Sequence, residues 1–334
     1  MTDMLVGPPA SADERSVTAA SATASTWDDV VVAYYDTCLR DYQRGWTDRH
    51  SLAMHMGYWD ERTRSHAQSL VNMNRQIAQR ALLGPRVRVL DAGCGIGGTS
   101  LWIAQSFGAQ VIGITLAQDQ VERATRYATD RGLGDTVAFL RRDFHDTGFD
   151  DASFDVVWAQ ESVCHSLDKP RFFHEAFRVL RPGGRLVMEE GLRYRRPYDP
   201  ADEDLLSAWL HGWAVQDLAT AAEYERWAGD AGFDQVHIDD VREHTVPSLR
   251  RLYRRSSLVY ALGLFRHPIR RAREALRRER TRVGDSTPWD RDRRLRNWRG
   301  GRYQWKALER GLWYIGILSA LKPRDTKGVH AHHG

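Results

Sequence analysis

Apolar residues recur at two different periods along this chain, and the switches between the periods outline its elements. Residues 27–83 carry them at helical spacing, interrupted once at His55-Met56-Gly57-Tyr58-Trp59-Asp60. Gly84-Pro85 stops this stretch and introduces a short apolar, β-branched run at 87–90. Strand-like runs then alternate with helical ones. Strands are predicted at 109–114, 137–140, 154–159 and 185–189, and helices at 118–130 and 171–180. Arg181-Pro182-Gly183-Gly184 reads as the turn before the fifth strand. Farther on come a helical insertion at 199–216, a helix at 219–231 ended by Gly232, and a sixth strand at 235–239. A long helical segment from 247 to about 310 precedes a seventh strand at 312–318. This alternation predicts an α/β fold, a doubly wound parallel sheet with helices on both faces.

Those elements divide the 334 residues into an N-terminal tail (1–25), a helical lid (26–84), a core (85–245), an Arg-rich helical cap (246–311), a last core strand (312–323) and a tail (324–334). The first 25 residues are rich in Ala, Ser and Thr and lack the basic start and apolar stretch of a signal peptide, so a disordered tail is expected. No run approaches the roughly 20 apolar residues that cross a bilayer, which predicts no integral membrane association. The three cysteines, Cys38, Cys94 and Cys164, suit neither a zinc site nor a disulfide framework. A cytoplasmic protein with no metal of its own is expected, and a homo-oligomer is left open.

The decisive pattern follows the first strand: Asp91-Ala92-Gly93-Cys94-Gly95-Ile96-Gly97-Gly98, with a helix from Thr99. Glycines let a ligand rest against the turn and the helix N-terminus. A dinucleotide fingerprint spaces its glycines similarly. Here an acid precedes the first glycine at the carboxyl end of the strand, where such folds bind ligands. A carboxylate there repels a pyrophosphate and favours a cationic ligand.

This segment resembles motif I of the class I S-adenosylmethionine (SAM) dependent methyltransferases. The likeness continues through Asp143-Phe144, Ala159-Gln160-Glu161-Ser162 and Arg178-Val179-Leu180-Arg181-Pro182-Gly183-Gly184, over roughly residues 83–188. It implies a Rossmann-like seven-stranded sheet, SAM as cofactor and S-adenosylhomocysteine (SAH) as product. Asp91, Gly93, Gly95, Gly97 and Gln160 would border SAM, and Asp143 and Phe144 its adenine. Many members end the second strand with an acid that binds the ribose. Here the chain reads Gly113-Ile114-Thr115-Leu116, with Gln120 one helical turn on. That departure resembles the branch holding cyclopropane fatty-acid synthases, sterol and tocopherol methyltransferases and antibiotic-tailoring enzymes, in which a Thr and a Gln take over the ribose. Thr115 and Gln120 inherit that role by resemblance; a plain helix cap at Thr115 is the alternative.

Glu161 and His165 are the candidate catalytic residues. An alkene that attacks a methyl sulfonium becomes a carbocation, which a carboxylate stabilises and can deprotonate. His165 would serve as base for O- or N-methylation. Glu161 may equally be read as a strut holding the methionine end, and His165 as a structural histidine. Tyr34, Tyr35 and Tyr58 are candidate lid contacts to SAM, or packing aromatics. Among the 12 tryptophans, Trp46, Trp59, Trp158, Trp209 and Trp213 fall near the expected pocket and favour a hydrophobic acceptor.

Charge adds one feature. From residue 250 onward 23 lysines and arginines face 7 acids, a net of +16, leaving −12 for the rest of a chain whose total is +4. The basic block can be a solvated amphipathic face, a clamp for a diphosphate or carboxylate, a membrane-surface contact or a nucleic-acid contact. The last ranks lowest, since no known nucleic-acid module accompanies the block. Tyr253, Arg254 and Arg255 are the candidate substrate contacts, with Trp209 and Trp213. Mg2+ is expected only if the substrate is a diphosphate. The reading that results is methylation of a hydrophobic small molecule, foremost C-methylation of an isoprenoid or prenylated natural product. Its alternatives are O- or N-methylation of a polyketide, alkaloid or glycoside, a nucleic-acid methyltransferase, and a non-catalytic SAM-binding protein.

Overall fold

The computed structural model describes residues 26–47, 50–277 and 288–324, with backbone alone over 43–45, 263–277 and 288–295. The tail expected at 1–25, all of the tail expected at 324–334 except Arg324, and most arginines of the basic block lie outside the residues whose side chains are described.

Seven strands form one sheet: β1 (Arg88–Ala92), β2 (Gln110–Thr115), β3 (Val137–Arg141), β4 (Phe154–Gln160), β5 (Leu180–Arg193), β6 (Asp234–Asp240) and β7 (Trp313–Leu321). Their order is β3-β2-β1-β4-β5-β7-β6. The pairings from β3 through β5 are parallel, whereas β7 runs antiparallel between β5 and β6. The fully parallel sheet expected from the alternation is therefore corrected at β7. The chain re-enters the sheet where β5 ends, pairing Trp313 with Arg193, so β7 can only run back along β5.

Alternate residues of the strands point to opposite faces. Val89, Val111, Trp158 and Val187 join one core cluster, and Leu90, Ile112, Val157 and Met188 the other, so the sheet is covered on both sides. The turn expected at 181–184 is absorbed into β5 as a bulge against β4. Gly183 donates to the Lys322 carbonyl (2.8 Å) and Lys322 to the Gly184 carbonyl (2.9 Å), which ties the segment to the chain after β7.

Helices cover the faces in the predicted places: α3 (Gly98–Phe107), α4 (Gln118–Asp130), α5 (Lys169–Val179) and α7 (Ala221–Ala231) in the core. The lid contributes α1 (Trp27–Gly45), started by a Thr26–Asp29 capping box, and α2 (His66–Ala81), capped by Ser65. The insertion forms α6 (Pro200–Leu210) and a 3-10 turn at His211–Trp213. The basic block forms the antiparallel pair α8 (Arg242–Arg277) and α9 (Pro288–Glu309), and α9 also packs on α6 and α1. The cap and the lid thus meet above the carboxyl ends of the central strands. No helix among the described residues is long and apolar enough to cross a membrane.

Candidate active site

The glycine turn after β1 shapes one wall of a deep cleft. Gly93, Gly95 and Gly97 all take positive φ (92°, 53° and 85°). At Gly93 a Cβ would lie 2.3 Å from the Ser162 Cβ, and at Gly97 2.6 Å from the Phe139 ring, so the turn admits no side chain there. The cleft holds about 1290 Å3 of empty space, its open mouth included. Asp91, Gly93, Gly95, Thr115, Gln120, Asp143, Phe144, Gln160, Glu161, His165, Tyr34 and Trp213 all line it, while Gly97 sits just behind as the N-cap of α3. The fold therefore brings together residues spread over most of the chain.

The cleft carries donors suited to a polar ligand. Thr115 donates to Gln120 Oε1 (2.6 Å), which fixes that amide and leaves its Nε2 buried without a partner among the described residues. A buried N–H without an acceptor is costly, so this donor fits a ribose hydroxyl. Thr115 caps nothing in α4, whose N-cap is Ala117. Gln160 Oε1 accepts from Thr99 (3.0 Å) and Trp158 Nε1 (3.2 Å); its Nε2 has no partner at hydrogen-bond geometry among the described residues, though the amide lies close enough to Glu189 to favour that group's ionised form. Asp143 Oδ1 accepts from the His145 backbone and ring, each at 2.8 Å; burial works against that carboxylate, yet these bonds hold it below its usual range. Asp91 is buried, which pushes it up to about 6 against the hydrogen bond from Ser100. These groups fit SAM, with the acid near its cationic end and Gln120 near its ribose.

A second, apolar cavity of about 500 Å3 adjoins the first. Trp46, Met56, Leu252 and Trp298 wall it, with Asp41, Arg255 and Asn297 as polar members. Tyr42, Met54, Glu161 and Trp213 line both cavities, so Glu161 stands at their junction. Glu161 adopts the left-handed conformation (φ 47°), uncommon for a side-chain-bearing residue and a mark of functional constraint. Its Oε1 accepts from the Met56 backbone of the lid. Burial pushes its carboxyl well up, opposed by that hydrogen bond and reinforced by Glu190.

Two acids that sequence reasoning passed over surround Glu161. Glu190 accepts from the backbone of Ser162 (2.9 Å), Val163 (2.6 Å) and Cys164 (3.2 Å), and so shapes the loop after β4. Glu189 is wholly buried, and neither of its oxygens has a donor among the described residues. Two consecutive acids closing an apolar strand were the available signal, since carboxylates rarely lie fully buried.

Several expectations need correction. Tyr58 does not line the cleft; it stacks on His244 at 4.1 Å, because its backbone is pinned to Ser69 in α2. Trp209 is core, packed on Trp313 at 4.5 Å behind Trp213. Tyr253 stacks on Trp305 at 5.6 Å and Arg254 is exposed; of that trio only Arg255 reaches a cavity. On a helix, neighbouring residues point about 100° apart, so three in a row cannot share one pocket. His165 is no free base: Tyr35 shares its hydroxyl with Nε2 (2.9 Å), Nδ1 bonds the Ala214 carbonyl (2.8 Å), and burial lowers the ring to about 4. Among the described residues no three His, Cys, Asp or Glu are grouped to hold a metal.

Comparison with known proteins bears on this geometry. A family model described as a methyltransferase domain matches residues 90–188. The 27-O-demethylrifamycin SV methyltransferase of Amycolatopsis mediterranei is 33% identical over 195 residues, covering 58% of this chain and 71% of that protein. A sterol 24-C-methyltransferase of Schizosaccharomyces pombe is 29% identical over 226 residues, 67% of this chain and 58% of that protein. Among solved structures, the [4+2]-cyclase SpnF superposes with a TM-score of 0.67 at 24% identity, over 90% of this chain and 98% of that one. The geranyl diphosphate C-methyltransferase of Streptomyces coelicolor, solved with Mg2+, geranyl diphosphate and SAH, gives 0.62 at 18% identity, over 90% and 100%.

Proposed function

The chain belongs to the class I SAM-dependent methyltransferases, and from that premise we propose that it methylates a hydrophobic small molecule at an alkene carbon, foremost an isoprenoid or prenylated natural product. The observation that carries this reading is the position of Glu161, between the SAM cleft and the aromatic cavity. SAM, when bound, supplies an already activated methyl group. The chain's part is to hold the acceptor in line, exclude water and manage charge. The alkene's π pair forms the new C–C bond and leaves a carbocation on the acceptor. The Glu161 carboxylate, with the faces of Trp46, Trp213, Trp298 and Tyr42, stabilises that cation in a dry setting. The adjacent C–H pair then restores the double bond, and the proton passes to Glu161. Arg255 suits an anionic group on the acceptor. Mg2+ would enter only with a diphosphate, as part of the substrate.

A second reading, O- or N-methylation, has its own support. Tyr35 lines the cleft with its hydroxyl on His165 Nε2, a fixed polar pair that suits the orientation of an acceptor hydroxyl or amine. One experiment separates the two. The protein is incubated with methyl-labelled SAM and a panel of prenyl diphosphates, prenylated indoles and phenols, and polyketides, and each product is mapped by mass spectrometry. A label on carbon supports the first reading. A label on oxygen or nitrogen replaces it with the second, and no labelled product in any class refutes both.

A further inference from the structure

Glu189 has no part in the steps above, yet it is among the costliest side chains in the protein. It lies on β5 between register partners Gln160 on β4 and Ile317 on β7. It is 0% exposed, and both carboxyl oxygens lack a donor among the described residues. Its backbone carbonyl accepts from the Glu161 N–H at 2.8 Å, which sets it beside the acid that stands at the cavity junction. The side chains acting on Glu189 are Glu161, Glu190 and Gln160, and none is a cation. Of these only the Gln160 amide favours the ionised form, too little to offset the hydration a buried carboxylate forfeits.

The other charged and titratable groups around the pair are committed elsewhere or neutral. Glu190, from β5, is held by three backbone N–H groups and faces Lys169 of α5. His55, from the lid, bonds the Met56 carbonyl, and its burial keeps it neutral near pH 7. Tyr35 and Tyr42 of α1 and Cys164 after β4 are buried and held un-ionised. Asp41 of α1 and Arg255 of α8 share only the far cavity with Glu161.

We infer that Glu161 and Glu189 work as a single acid, which holds two protons without cofactor, releases one when the sulfonium of SAM arrives beside Glu161, and regains one from the acceptor after transfer. This rests on the reading that SAM occupies the cleft with its sulfonium at that junction. Two carboxyl groups sharing one proton is the arrangement expected when like charges lie too close to ionise together. In the SAM state Glu189 keeps its proton, donates it to Glu161 and leaves Glu161 anionic opposite the cation. The acceptor's proton then brings the pair back to neutral as the sulfonium becomes a neutral thioether, so the dry site is never left with an uncompensated charge. Glu189 is thus a positioning residue for the charge state of Glu161. Burial pushes both carboxyls well above their ordinary values, with Glu161 raising Glu189 further and the Glu189 hydrogen bond easing Glu161 back, which agrees with this.

The test needs no acceptor and no turnover. SAM and SAH share their nucleoside, amino and carboxylate ends and differ in the sulfonium. Binding of each to the full chain is measured by calorimetry near pH ~7, in phosphate and in Tris, whose ionisation enthalpies differ widely. SAM should release about one proton and SAH none, and the SAM-to-SAH affinity ratio should rise with pH by up to about tenfold per unit. In Glu189→Leu the donor is gone, so an ionised Glu161 loses its hydrogen bond and both the release and the pH slope should shrink; Glu161→Gln should abolish them. Equal proton counts for SAM and SAH in the unaltered protein overturn the inference, whether or not either variant folds. So does a release that persists undiminished in both variants. If no acceptor is ever methylated, the function proposed above fails while the proton count still decides this inference.

Discussion

Glu161 answers to three demands at once: a left-handed backbone, a hydrogen bond from the lid and a place between two cavities. If it stabilises a carbocation, Glu161→Gln should lower kcat by a factor of about ten to a thousand, the loss typical of one preorganised electrostatic contact. SAM affinity, read by calorimetry, should change far less; a strut to the methionine end would instead lose affinity and turnover together. Gly95 poses the complementary question. Its φ of 53° and a Cβ position 2.5 Å from the Met54 terminal methyl put the turn against the lid. Gly95→Val should abolish SAM binding with the far-UV dichroism unchanged, and calorimetry showing wild-type affinity would remove this turn from the cofactor site. Gly95 and Glu161 could be picked out from local pattern, because turn chemistry and an acid at a strand end are local facts. The orphaned Nε2 of Gln120 and the burial of Glu189 were not legible, since each depends on what the rest of the chain packs around it.

At the scale of elements, the cap is where reading stopped short. The helical spacing predicted one mostly helical segment at 247–310, whereas α8 already begins at Arg242 and α9 at Pro288; the positions of β6 and β7 placed the ends of the pair at the sheet. Which arginine faces inward depends on the rotation of α8 about its axis, and that is decided by contacts with α9 and β7. Arg254 is exposed whereas Arg255 lines the apolar cavity. With matched acceptors, one bearing an anionic group and one lacking it, Arg255→Ala should raise KM for the anionic acceptor by about tenfold or more, while Arg254→Ala should leave both within about twofold. An equal change in KM for the two acceptors in Arg255→Ala, or no change in either, would show that this side chain does not read the charge. The lid shows the same limit. Its break was visible at 55–60, but that Trp27 Nε1 bonds the His165 carbonyl (2.8 Å) and Tyr34 bonds Asn297 (3.1 Å) could not be read from spacing.

For the whole molecule, the buried ionisable groups make stability depend on pH with a definite sign. Burial raises Glu161, Glu189 and Glu190, the last to about 7, so the folded chain binds more protons than the unfolded one above the ordinary Glu range. That stability is complete at acid pH and is lost as pH rises through the raised values. Burial lowers His55 and His165 to about 4, so their contribution is present above their ordinary 6.5 and is lost as pH falls toward 4. The two trends oppose one another between about pH 4.5 and 6.5, and above it the acids' trend acts alone. Thermal unfolding without cofactor should therefore show Tm falling from about pH 6.5 to 8, with a shallower fall in Glu189→Gln. A Tm that rises over that interval would contradict the burial of protonated acids. Sequence by itself determined the sheet's elements, the glycine turn with its acid, and membership in a methyltransferase class, because period, turn residues and strand ends are set by near neighbours along the chain. Only the tertiary structure decided the antiparallel β7, the second cavity, the retirement of Tyr58, Trp209, Tyr253 and Arg254 from the site and the pairing of Glu161 with Glu189. Each of these rests on contacts between segments far apart in the chain, where packing and the cost of burying charge, rather than local preference, select the arrangement.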